Sequence, residues 1–528
     1  MVPVAAEPDS AENLLGRRAP CRNASRFWMP PMNADVVILG SGFAGSLLAM
    51  ILARHGLRVV ILDRDRHPRF AIGESSTPIA DLTLARLAAR HDLSEVAPLA
   101  RWGTWRHAYP EIGCGLKRGF SYFRHVPGEP FADTPDHAAS LLVAASATDA
   151  DADTHWLRAD VDALLFRQAL GRGAIGREGC TITAVEREAA GWRVAWTNEC
   201  GTAELASSPF IVDATGTGGL LGGALRLGRL DDVLSNRTGA IFTHLAGVAS
   251  WDALRAEAGD VSTTTPFRSD DAAQHHVLRG GWMWMLRFAG DRCSVGIVAA
   301  DVGSADVADP DGSWQRRLAP YPSLVRLLAA ARPLRRFAAI PRLSRLWERA
   351  SGPGWAFLPT TAGFIDPLHS TGIAHSLRGV MRVADMLLAP RFDEAAWLAY
   401  GRDVVDEVRW IDRLVATATA AIDDFPLFTL ACHLYFVATI ACERGVAGLD
   451  PDVGFLAARD QPLRAALESA CADLGRVASD PSRRDATCAA IRDRLEPWDR
   501  AGLFNRDARN RFAHTAALKE AVATVAGP

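Results

Sequence analysis

One lysine stands apart in a chain whose basic residues are otherwise arginine. Lysines occur at positions 117 and 519, within a Lys+Arg total of 58. The alternating stretch CGLKRGFSYF predicts a β-strand that places Lys117, Gly119 and Ser121 on one face, with room beside the amine. A desolvated lysine can lose its proton and become a nucleophile, whereas arginine stays charged. Lys117 is therefore a candidate for chemistry, and the alternative is a surface lysine in an arginine-rich chain.

A nucleotide-binding turn is the second candidate site. The stretch DVVILGSGFAGSLLAMILARHGLRVVILDRD reads as strand, glycine turn, helix and strand, with Gly40, Gly42 and Gly45 in the three positions of GxGxxG. The helix N-terminus offers N–H donors to a pyrophosphate, and Asp63 follows the second strand where an acid binds ribose hydroxyls. Further cofactor contacts predicted within the turn are Ser41 and Ala44. The alternative is a glycine-rich turn of another α/β fold.

A later segment, PFIVDATGTGG, is an apolar strand that ends in Asp213 and a glycine turn. It predicts that the chain leaves the nucleotide domain and returns to the same sheet, a pattern typical of flavoproteins. Asp213 is accordingly a predicted cofactor residue. Any other strand followed by a turn would look the same, so this segment alone does not decide between FAD and NAD.

Three motifs, in order along the chain, resemble those of the flavin-dependent halogenases: HPRFAIGESSTPIADL, GWMWMLRF and GFIDPLHSTGIAHSL. The resemblance implies the aromatic-hydroxylase fold, an α/β (α+β mixed) architecture with a Rossmann-like FAD-binding domain interleaved with a mixed β-sheet substrate domain. It also implies that reduced FAD, O2 and chloride or bromide together make hypohalous acid, which halogenates an aromatic ring. The resemblance adds these FAD contacts: Glu74, Arg158, Asp366, Gly372 and Ile373.

The lysine segment distinguishes the branches of that family. In the tryptophan-type branch a lysine closely follows GE-xxx-P and a glutamate precedes Ser-Thr-Gly. The corresponding stretch of this chain, GESSTPIADLTLARL, has no lysine, and His369 stands in the glutamate position. In the phenol-type branch the lysine lies in the pattern C-G-x-K-x-G-F, which Cys114 to Phe120 match. The resemblance thus favours a phenolic or resorcinol-like substrate, with Lys117 as the candidate catalytic residue that binds hypohalite or forms a haloamine.

The stretch HSTGIAHSL predicts a halide site. If a helix begins near Gly372, the backbone N–H groups of Thr371 and Gly372 point outward at its positive end, where an anion is favoured. The alternative is a helix cap made by Ser370 or Thr371. His369 is a possible base for deprotonating a phenol, with His125 and Glu129 as other candidates.

Two further features depart from or extend the family pattern. Trp282 and Trp284 alternate in GWMWMLRF and, by the resemblance, wall the flavin off from the substrate; as paired aromatics they could equally fill a core. Arg287 stands where the family has proline. Pro359 and Thr360 stand where many relatives have a Gly-Asp pair that contacts the flavin ribityl chain.

Composition limits the other possibilities. The formal net charge is -3, which offers no basic face for nucleic acid, and no run of eighteen apolar residues suggests a membrane span. Nine cysteines occur as scattered singles without CxxC spacing, so we expect no metal site and a cytoplasmic protein.

The domain boundaries follow from these patterns. We expect a disordered leader over 1–33, an FAD-binding domain interleaved with the substrate domain over 34–390, and a C-terminal helical region over 391–528. The substrate segments are placed at about 95–150 and 235–345. We expect a separate flavin reductase as partner, since the sequence has no second nucleotide fingerprint, and a homodimer is one possible assembly.

Three rival functions stay open at this point. An aromatic monooxygenase of the same fold would transfer oxygen directly and need neither Lys117 nor halide. A reductase of prenyl double bonds would work without oxygen, and a flavin-binding sensor or carrier would not turn over an aromatic substrate.

Overall fold

The computed structural model describes residues 32–259, 265–479 and 481–513. The predicted leader lies outside these ranges except for Met32–Asn33, which forms a short strand. That strand pairs in parallel with Ala203–Ser208 at the edge of a four-stranded sheet. The other strands of this sheet are Gly191–Thr197 and Thr181–Glu188.

A six-stranded sheet holds the predicted nucleotide-binding elements. Its order is Ser351–Gly352, Trp355–Phe357, Phe210–Asp213, Val36–Leu39, Val59–Leu62 and Ile175–Arg177. The Val36–Leu39, Val59–Leu62 and Phe210–Asp213 strands are buried throughout, as expected for parallel strands covered on both faces. The segment ending in Asp213 therefore does return beside the first strand, in parallel register.

A nine-stranded mixed sheet forms the second layer. Its order is Arg332–Pro333, Gly239–Ala246, Arg292–Ala299, Gly281–Phe288, Ala273–Leu278, Gly119–Arg124, Ser140–Ala144 and Arg511–Phe512, with Ala338–Ile340 also on Gly239–Ala246. Two small antiparallel pairs complete the strands: Cys114–Lys117 with Asp153–Trp156, and Arg345–Leu346 with Gly363–Phe364.

The α-helices before residue 391 connect and cover these sheets. They are Phe43–Arg54, Pro78–Arg90, Trp102–Ala108, Arg158–Gly171, Leu220–Ala224, Trp251–Glu257, Ser304–Ala308, Pro310–Leu318, Pro322–Leu327, Pro359–Ala362 and Thr371–Leu387. The C-terminal region adds Glu394–Ala420, Phe425–Val446, Gln461–Ser479 and Arg484–Leu495. These elements confirm the predicted α/β class with interleaved domains and a helical C-terminal part.

The large sheet separates two apolar cores. Because side chains alternate along a strand, Trp282, Trp284 and Leu286 join the core shared with the FAD domain and the C-terminal helices. Met283 and Met285 join a smaller core on the other face. This alternation decides which residues of the large sheet can reach the flavin side of the molecule.

Helix Phe425–Val446 is long and apolar enough by composition to cross a membrane. However, 89% of its apolar window is buried inside the protein. Its Phe436 ring contacts Phe120 of the large sheet, with centroids 5.5 Å apart. The apolar character of this helix is thus accounted for by its packing in the core.

A buried ion pair fixes helix Thr371–Leu387 against helix Glu394–Ala420. Glu407 accepts from Arg382 Nη2 at 2.7 Å and lies 3.0 Å from His375 Nε2. Burial raises the pKa of Glu407, but the Arg382 charge and the His375 hydrogen bond outweigh it and hold that pKa below its usual value. Ionised Glu407 therefore stabilises the folded state.

Replacing Glu407 by glutamine is expected to destabilise the protein by about 3 kcal/mol at neutral pH, because Arg382 loses its buried partner. The pKa is lowered on folding, so this stabilisation is present above the usual glutamate pKa and is lost as pH falls through the lower folded-state pKa. The urea midpoints of wild type and variant should converge in acid. Glu394→Gln, in the exposed first turn of the same helix, should shift the midpoint little at any pH. An unchanged Glu407→Gln midpoint at pH 7 would contradict this prediction.

Candidate active site

The GxGxxG turn has the geometry that a pyrophosphate requires. Gly40 has φ +97°, in the left-handed region, and a Cβ on Gly45 would lie 2.1 Å from the Gly40 carbonyl oxygen. Helix Phe43–Arg54 begins directly after Gly42 with no side chain capping its N-terminus. The first-turn N–H groups are thus available to an anion, and the close approach of helix to strand explains the third glycine.

Asp63 is held in place beside that turn. Its Oδ2 accepts from the Ser41 backbone N–H at 2.8 Å and from the Ser41 hydroxyl at 2.7 Å. Burial raises the pKa of Asp63, but the Arg69 charge and the hydrogen bonds from Asp65 and Ser41 reverse this and lower it. Asp63 is therefore a fixed carboxylate at the end of the second strand, where ribose hydroxyls would bind.

Arg158 lies on the other side of the glycine turn. Its guanidinium pairs with Asp162 at 2.8 Å and donates to the Ile72 and Gly73 carbonyls, both at 3.1 Å. Its Nη2 is 3.7 Å from where a Gly42 Cβ would be. The predicted arginine helix thus joins the turn to the loop that carries the GESSTP motif.

Two other predicted FAD residues have carboxylates already engaged by nearby loops. Asp213 accepts from Thr215 N–H at 2.9 Å and from Leu221 N–H at 2.8 Å. Asp366 accepts from Leu368 N–H at 2.9 Å and from Thr238 Oγ1 at 2.5 Å. The structure therefore shows both as residues that shape the loops at the site, with their oxygens occupied inside the protein.

Glu74 is buried and faces the large sheet. Its Oε1 lies 2.9 Å from His244 Nε2, while its Oε2 has no hydrogen-bond partner among the described residues. Phe70, in the same loop, lies under the Arg335 guanidinium and 5.3 Å from the His244 ring. Sequence reasoning missed His244 and Arg335, since neither belongs to a motif. His244 reaches the loop from strand Gly239–Ala246, and Arg335 reaches it from the bend that follows Arg332–Pro333.

The lysine segment is two strands rather than one, so the prediction of a single alternating strand was wrong. Cys114–Lys117 pairs with Asp153–Trp156, whereas Gly119–Arg124 belongs to the large sheet. Arg118 lies between them, with its N–H bonded to the Asp271 carbonyl at 2.7 Å. Lys117 nevertheless points inward and is fully buried.

The Lys117 amine lies beside the GESSTP motif although 41 positions separate it from Ser76. Its Nζ donates to the Ser76 backbone carbonyl and lies 4.1 Å from the Phe120 ring centroid. Strand Asp153–Trp156 brings the two together: Ser76 N–H bonds Thr154 O at 3.0 Å, and the strand's other edge carries Lys117. Strand Cys114–Lys117 thus places Lys117 next to the GESSTP motif in space, although the lysine is distant from that motif in sequence.

Aromatic side chains surround this lysine. Phe120 leads to Tyr122, which stacks on His275 at 4.5 Å, and His275 lies 5.1 Å from Trp282. Trp282 and Trp284 are 6.1 Å apart and nearly fully buried. Trp282 Nε1 is buried without a hydrogen-bond partner among the described residues, whereas the buried Tyr122 hydroxyl is hydrogen-bonded with the Cys432 thiol. A polar aromatic ligand could accept a hydrogen bond from Trp282 Nε1.

Helix Thr371–Leu387 begins where the halide site was predicted. Ser370 precedes it at φ +54°, and no side chain caps its N-terminus, so the alternative of a Ser370 cap does not hold. His369 stacks on Tyr435 at 4.1 Å, and neither ring nitrogen of His369 has a hydrogen-bond partner among the described residues. Burial, and then the neighbouring His275, lowers the pKa of His369 to about 3, so the ring is neutral.

The structure does not bring the other base candidates to this site. His125 packs against Phe131 and Trp251 on the opposite face of the large sheet and bonds His276 at 2.9 Å. Glu129 is exposed. Arg287 turns outward to Asp270, but its backbone carbonyl lies 3.0 Å from His155 Nδ1. His155 was missed because nothing in its sequence context marks it.

No group of three or more His, Cys, Asp or Glu residues that could hold a metal ion occurs in the described part of the chain.

Comparisons with known proteins agree with this geometry. The FAD dependent oxidoreductase family (DAO) matches residues 35–164. Tetracycline 7-halogenase of Kitasatospora aureofaciens is 27% identical over 77% of this chain and 73% of its own length. Monodechloroaminopyrrolnitrin halogenase PrnC of Pseudomonas fluorescens is 26% identical over 77% of this chain and 71% of its own length.

The solved structure of halogenase PltM in complex with phloroglucinol and FAD has a TM-score of 0.79 and 25% identity, covering 90% of this chain and 99% of that one. The glycine turn, the uncapped helix and this match define an FAD-dependent oxidoreductase. The chain is a flavin-dependent halogenase, and its match to the halogenase PltM supports the phenol-type branch. Its cofactor is FAD, used reduced, with O2 and a halide as co-substrates.

Proposed function

We propose that the protein halogenates a phenolic or resorcinol-like ring and that Lys117 delivers the halogen. The observation that carries this proposal is the position of the Lys117 amine, fully buried at the Ser76 carbonyl and against the Phe120 ring. Buried ionisable side chains held at a specific position beside a sequence motif are candidates for a functional site. The placement of this amine next to the GESSTP loop and the Phe120 ring supports a lysine that works on a small reactive species beside an aromatic substrate.

The residues that would hold FAD follow the geometry described above. The first turn of helix Phe43–Arg54 faces the pyrophosphate, Asp63 faces the ribose, and Arg158 orients the loop that carries Glu74. Gly372 and Ile373, in the first turn of helix Thr371–Leu387, lie where the flavin ring is expected. Reduced FAD, when bound, supplies with O2 the oxidising equivalents that convert halide to hypohalous acid.

The N-terminus of helix Thr371–Leu387 is the proposed halide site. The N–H groups of Thr371 and Gly372 are in its uncapped first turn, and the helix dipole adds a partial positive charge there. Position 369, directly before this helix end, is a neutral histidine and not a carboxylate that would repel an anion.

Ser370→Asp tests the halide site by placing a negative charge at the same helix end. Asparagine and aspartate both tolerate the left-handed conformation of this residue, so Ser370→Asn is a matched neutral control. We expect the KM for bromide to rise at least about 10-fold in the aspartate variant, since a like charge about 5 Å away costs on the order of 1 kcal/mol or more in a low-dielectric site. The asparagine variant should stay close to wild type. Equal bromide KM values in the two variants would remove this helix end from the halide site.

Lys117 has two modes of action that its geometry allows. As ammonium, it donates a hydrogen bond to hypohalous acid; as a neutral amine, it takes the halogen itself and becomes a haloamine. In both modes the halogen is held beside Phe120 and the Tyr122–His275 pair. Trp282 and Trp284, which continue this cluster from His275, are proposed to separate the aromatic substrate from the flavin.

His369 is proposed to bind the phenolic hydroxyl. Its ring is neutral and buried, and its two nitrogens have no hydrogen-bond partner within the described structure. With a pKa lowered to about 3, it accepts a hydrogen bond from a phenol rather than holding the proton, which raises the electron density of the ring. The stack on Tyr435 fixes the plane of the imidazole.

Reduced FAD is proposed to come from a separate flavin reductase, because the sequence carries one nucleotide fingerprint. We place the enzyme in the cytoplasm, acting on a small aromatic molecule, with a homodimer as one possible assembly.

The test is mass spectrometry of the products from a panel of phenols and resorcinols, with reduced FAD, O2 and either bromide or chloride. We expect one or more halogens on the ring, and loss of product when halide is withheld. Hydroxylated product that is independent of halide would show a monooxygenase instead. Excess methionine in the buffer scavenges free hypohalous acid, so that only halogenation inside the protein is counted.

A further inference from the structure

A buried histidine, His155, lies on the same face as Lys117 in the two-stranded ribbon formed by Cys114–Lys117 and Asp153–Trp156. In the antiparallel pair of Cys114–Lys117 with Asp153–Trp156, Gly115 lies opposite His155 and Lys117 opposite Asp153. Directly opposed residues and those two positions along point to the same face. His155 is therefore the diagonal neighbour of Lys117 across the ribbon, and it is fully buried.

The tautomer of His155 follows from its hydrogen bond. His155 Nδ1 lies 3.0 Å from the Arg287 carbonyl oxygen, which can only accept, so Nδ1 carries the proton. In a neutral ring, Nε2 is then a bare acceptor. Nε2 is buried and has no hydrogen-bond partner in the described part of the chain. A buried acceptor without a partner is uncommon and calls for a ligand or a proton.

Gly115 makes this arrangement possible. A Cβ at position 115 would lie 1.8 Å from the Arg287 carbonyl oxygen and 3.0 Å from His155 Nδ1. Only glycine lets the Arg287 carbonyl approach closely enough to orient the imidazole. The second position of the C-G-x-K-x-G-F segment is thus explained by the histidine that it accommodates.

We propose that His155 Nε2 accepts a proton from the Lys117 nitrogen when that nitrogen becomes halogenated, and returns it when the halogen leaves. This inference rests on the haloamine role of Lys117 proposed above. It assigns His155 a role that no motif of the sequence indicates.

The protons and bonds balance in three steps. The Lys117 ammonium gives one proton to the oxygen of hypohalous acid as its nitrogen takes the halogen, so the N–halogen bond forms, the O–halogen bond breaks and water leaves. The resulting halo-ammonium passes its next proton to His155 Nε2. When the aromatic carbon takes the halogen and the N–halogen bond breaks, the imidazolium returns its proton to nitrogen, and the amine takes the proton that the ring loses. The halogen carries the oxidising equivalent throughout.

The basicity of His155 suits this role. Burial is the main cause that lowers its pKa to about 3; the hydrogen bond to Arg287 opposes this, and the Lys117 charge lowers it further. So weak a base leaves the resting ammonium intact, but a halogen withdraws electrons from nitrogen and makes the halo-ammonium a far stronger acid. The other titratable groups on this side are Asp153, directly opposite Lys117, and His275, whose Nδ1 is bound to the Ala273 carbonyl at 3.0 Å.

The experiment measures halogen stored on the protein. Enzyme is loaded with reduced FAD, O2 and bromide in the absence of any aromatic compound, freed of small molecules by rapid gel filtration, and then given resorcinol. His155→Asn and His155→Gln keep an amide N–H for the Arg287 carbonyl but cannot take up a proton. We expect both to oxidise FAD as wild type does and to yield at least 10-fold less stored bromine, in line with the loss of a general base.

The outcomes separate this inference from the role of Lys117. If wild type stores bromine and Lys117→Ala stores as much, the proposed role of Lys117 as the halogen carrier is overturned. Storage lost in Lys117→Ala but within twofold of wild type in both His155 variants would overturn the inference alone. So would a wild type that stores no bromine, or a loss in Asp153→Asn that the His155 variants do not share.

A measurement on wild type covers the case in which the variants fail to fold. With 15N-labelled histidine, one buried ring should change from the neutral Nδ1–H form to the imidazolium form when bromine is loaded. A structural role would not change this spectrum, and spectra identical before and after loading of stored bromine would overturn the inference.

Discussion

Lys117→Arg is expected to abolish halogenated product while FAD oxidation continues at the wild-type rate. Arginine keeps the positive charge but cannot become neutral and take the halogen. Its longer, planar head also cannot occupy the space between the Ser76 carbonyl and the Phe120 ring without displacing one of them. We expect a loss of about 10²- to 10⁴-fold in product formation, the range for removal of a group that acts on the reacting atoms.

The measurement is the rate of product formation set against the rate of O2-dependent FAD oxidation, with methionine present as scavenger. Lys117→Met removes the charge at nearly the same length and should behave like the arginine variant. Lys519→Ala, at the other lysine of the sequence, is the matched control and should leave both rates unchanged. Halogenation that persists in Lys117→Met would show that the buried amine is dispensable.

Gly45→Ala is expected to weaken FAD binding strongly. The new Cβ would lie 2.1 Å from the Gly40 carbonyl oxygen and 3.1 Å from the Ala214 Cβ, so helix Phe43–Arg54 must move away from the strand before it. Overpacking of this kind costs about 1–3 kcal/mol, and here the shift also moves the first-turn N–H groups away from the pyrophosphate. We expect the Kd for FAD to rise by about 30-fold or more, which corresponds to about 2 kcal/mol.

Equilibrium dialysis with FAD measures this effect directly. Gly171→Ala, at the end of helix Arg158–Gly171, is the matched control, because a Cβ there meets no atom within 4 Å. The control should bind FAD as wild type does. Wild-type affinity in Gly45→Ala would mean that the turn described here does not hold the cofactor.

The sequence was sufficient for features that are local. The GxGxxG turn needs one strand, one turn and one helix, so the spacing of its glycines was enough to predict it. Helix Thr371–Leu387 likewise begins where HSTGIAHSL predicted, and the segment ending in Asp213 returns to the first sheet as its pattern indicated.

Features that depend on distant contacts could not be read from the sequence. A two-residue period looks the same in one long strand and in two strands of different sheets, so the break at Arg118 carries no local mark. That break exists because Arg118 is bound by the Asp271 carbonyl and by Asp149. His155 gained its significance from the Arg287 carbonyl, 132 positions away. The return of Arg511–Phe512 to the large sheet involves two residues without any pattern.

Strand Asp153–Trp156 has a consequence for how this enzyme could be altered. It is bonded through its backbone to the loop of Ser76 on one edge and to the lysine strand on the other, and it leads directly into the helix of Arg158. The distance between the loop of Ser76 and the Lys117 amine is therefore set by backbone hydrogen bonds. Replacing side chains does not change these bonds. The aromatic cover over the amine comes instead from helix Phe425–Val446 and its neighbours. If Lys117 delivers the halogen as proposed, engineering for new substrates can vary these covering side chains one at a time while the position of the amine stays constant.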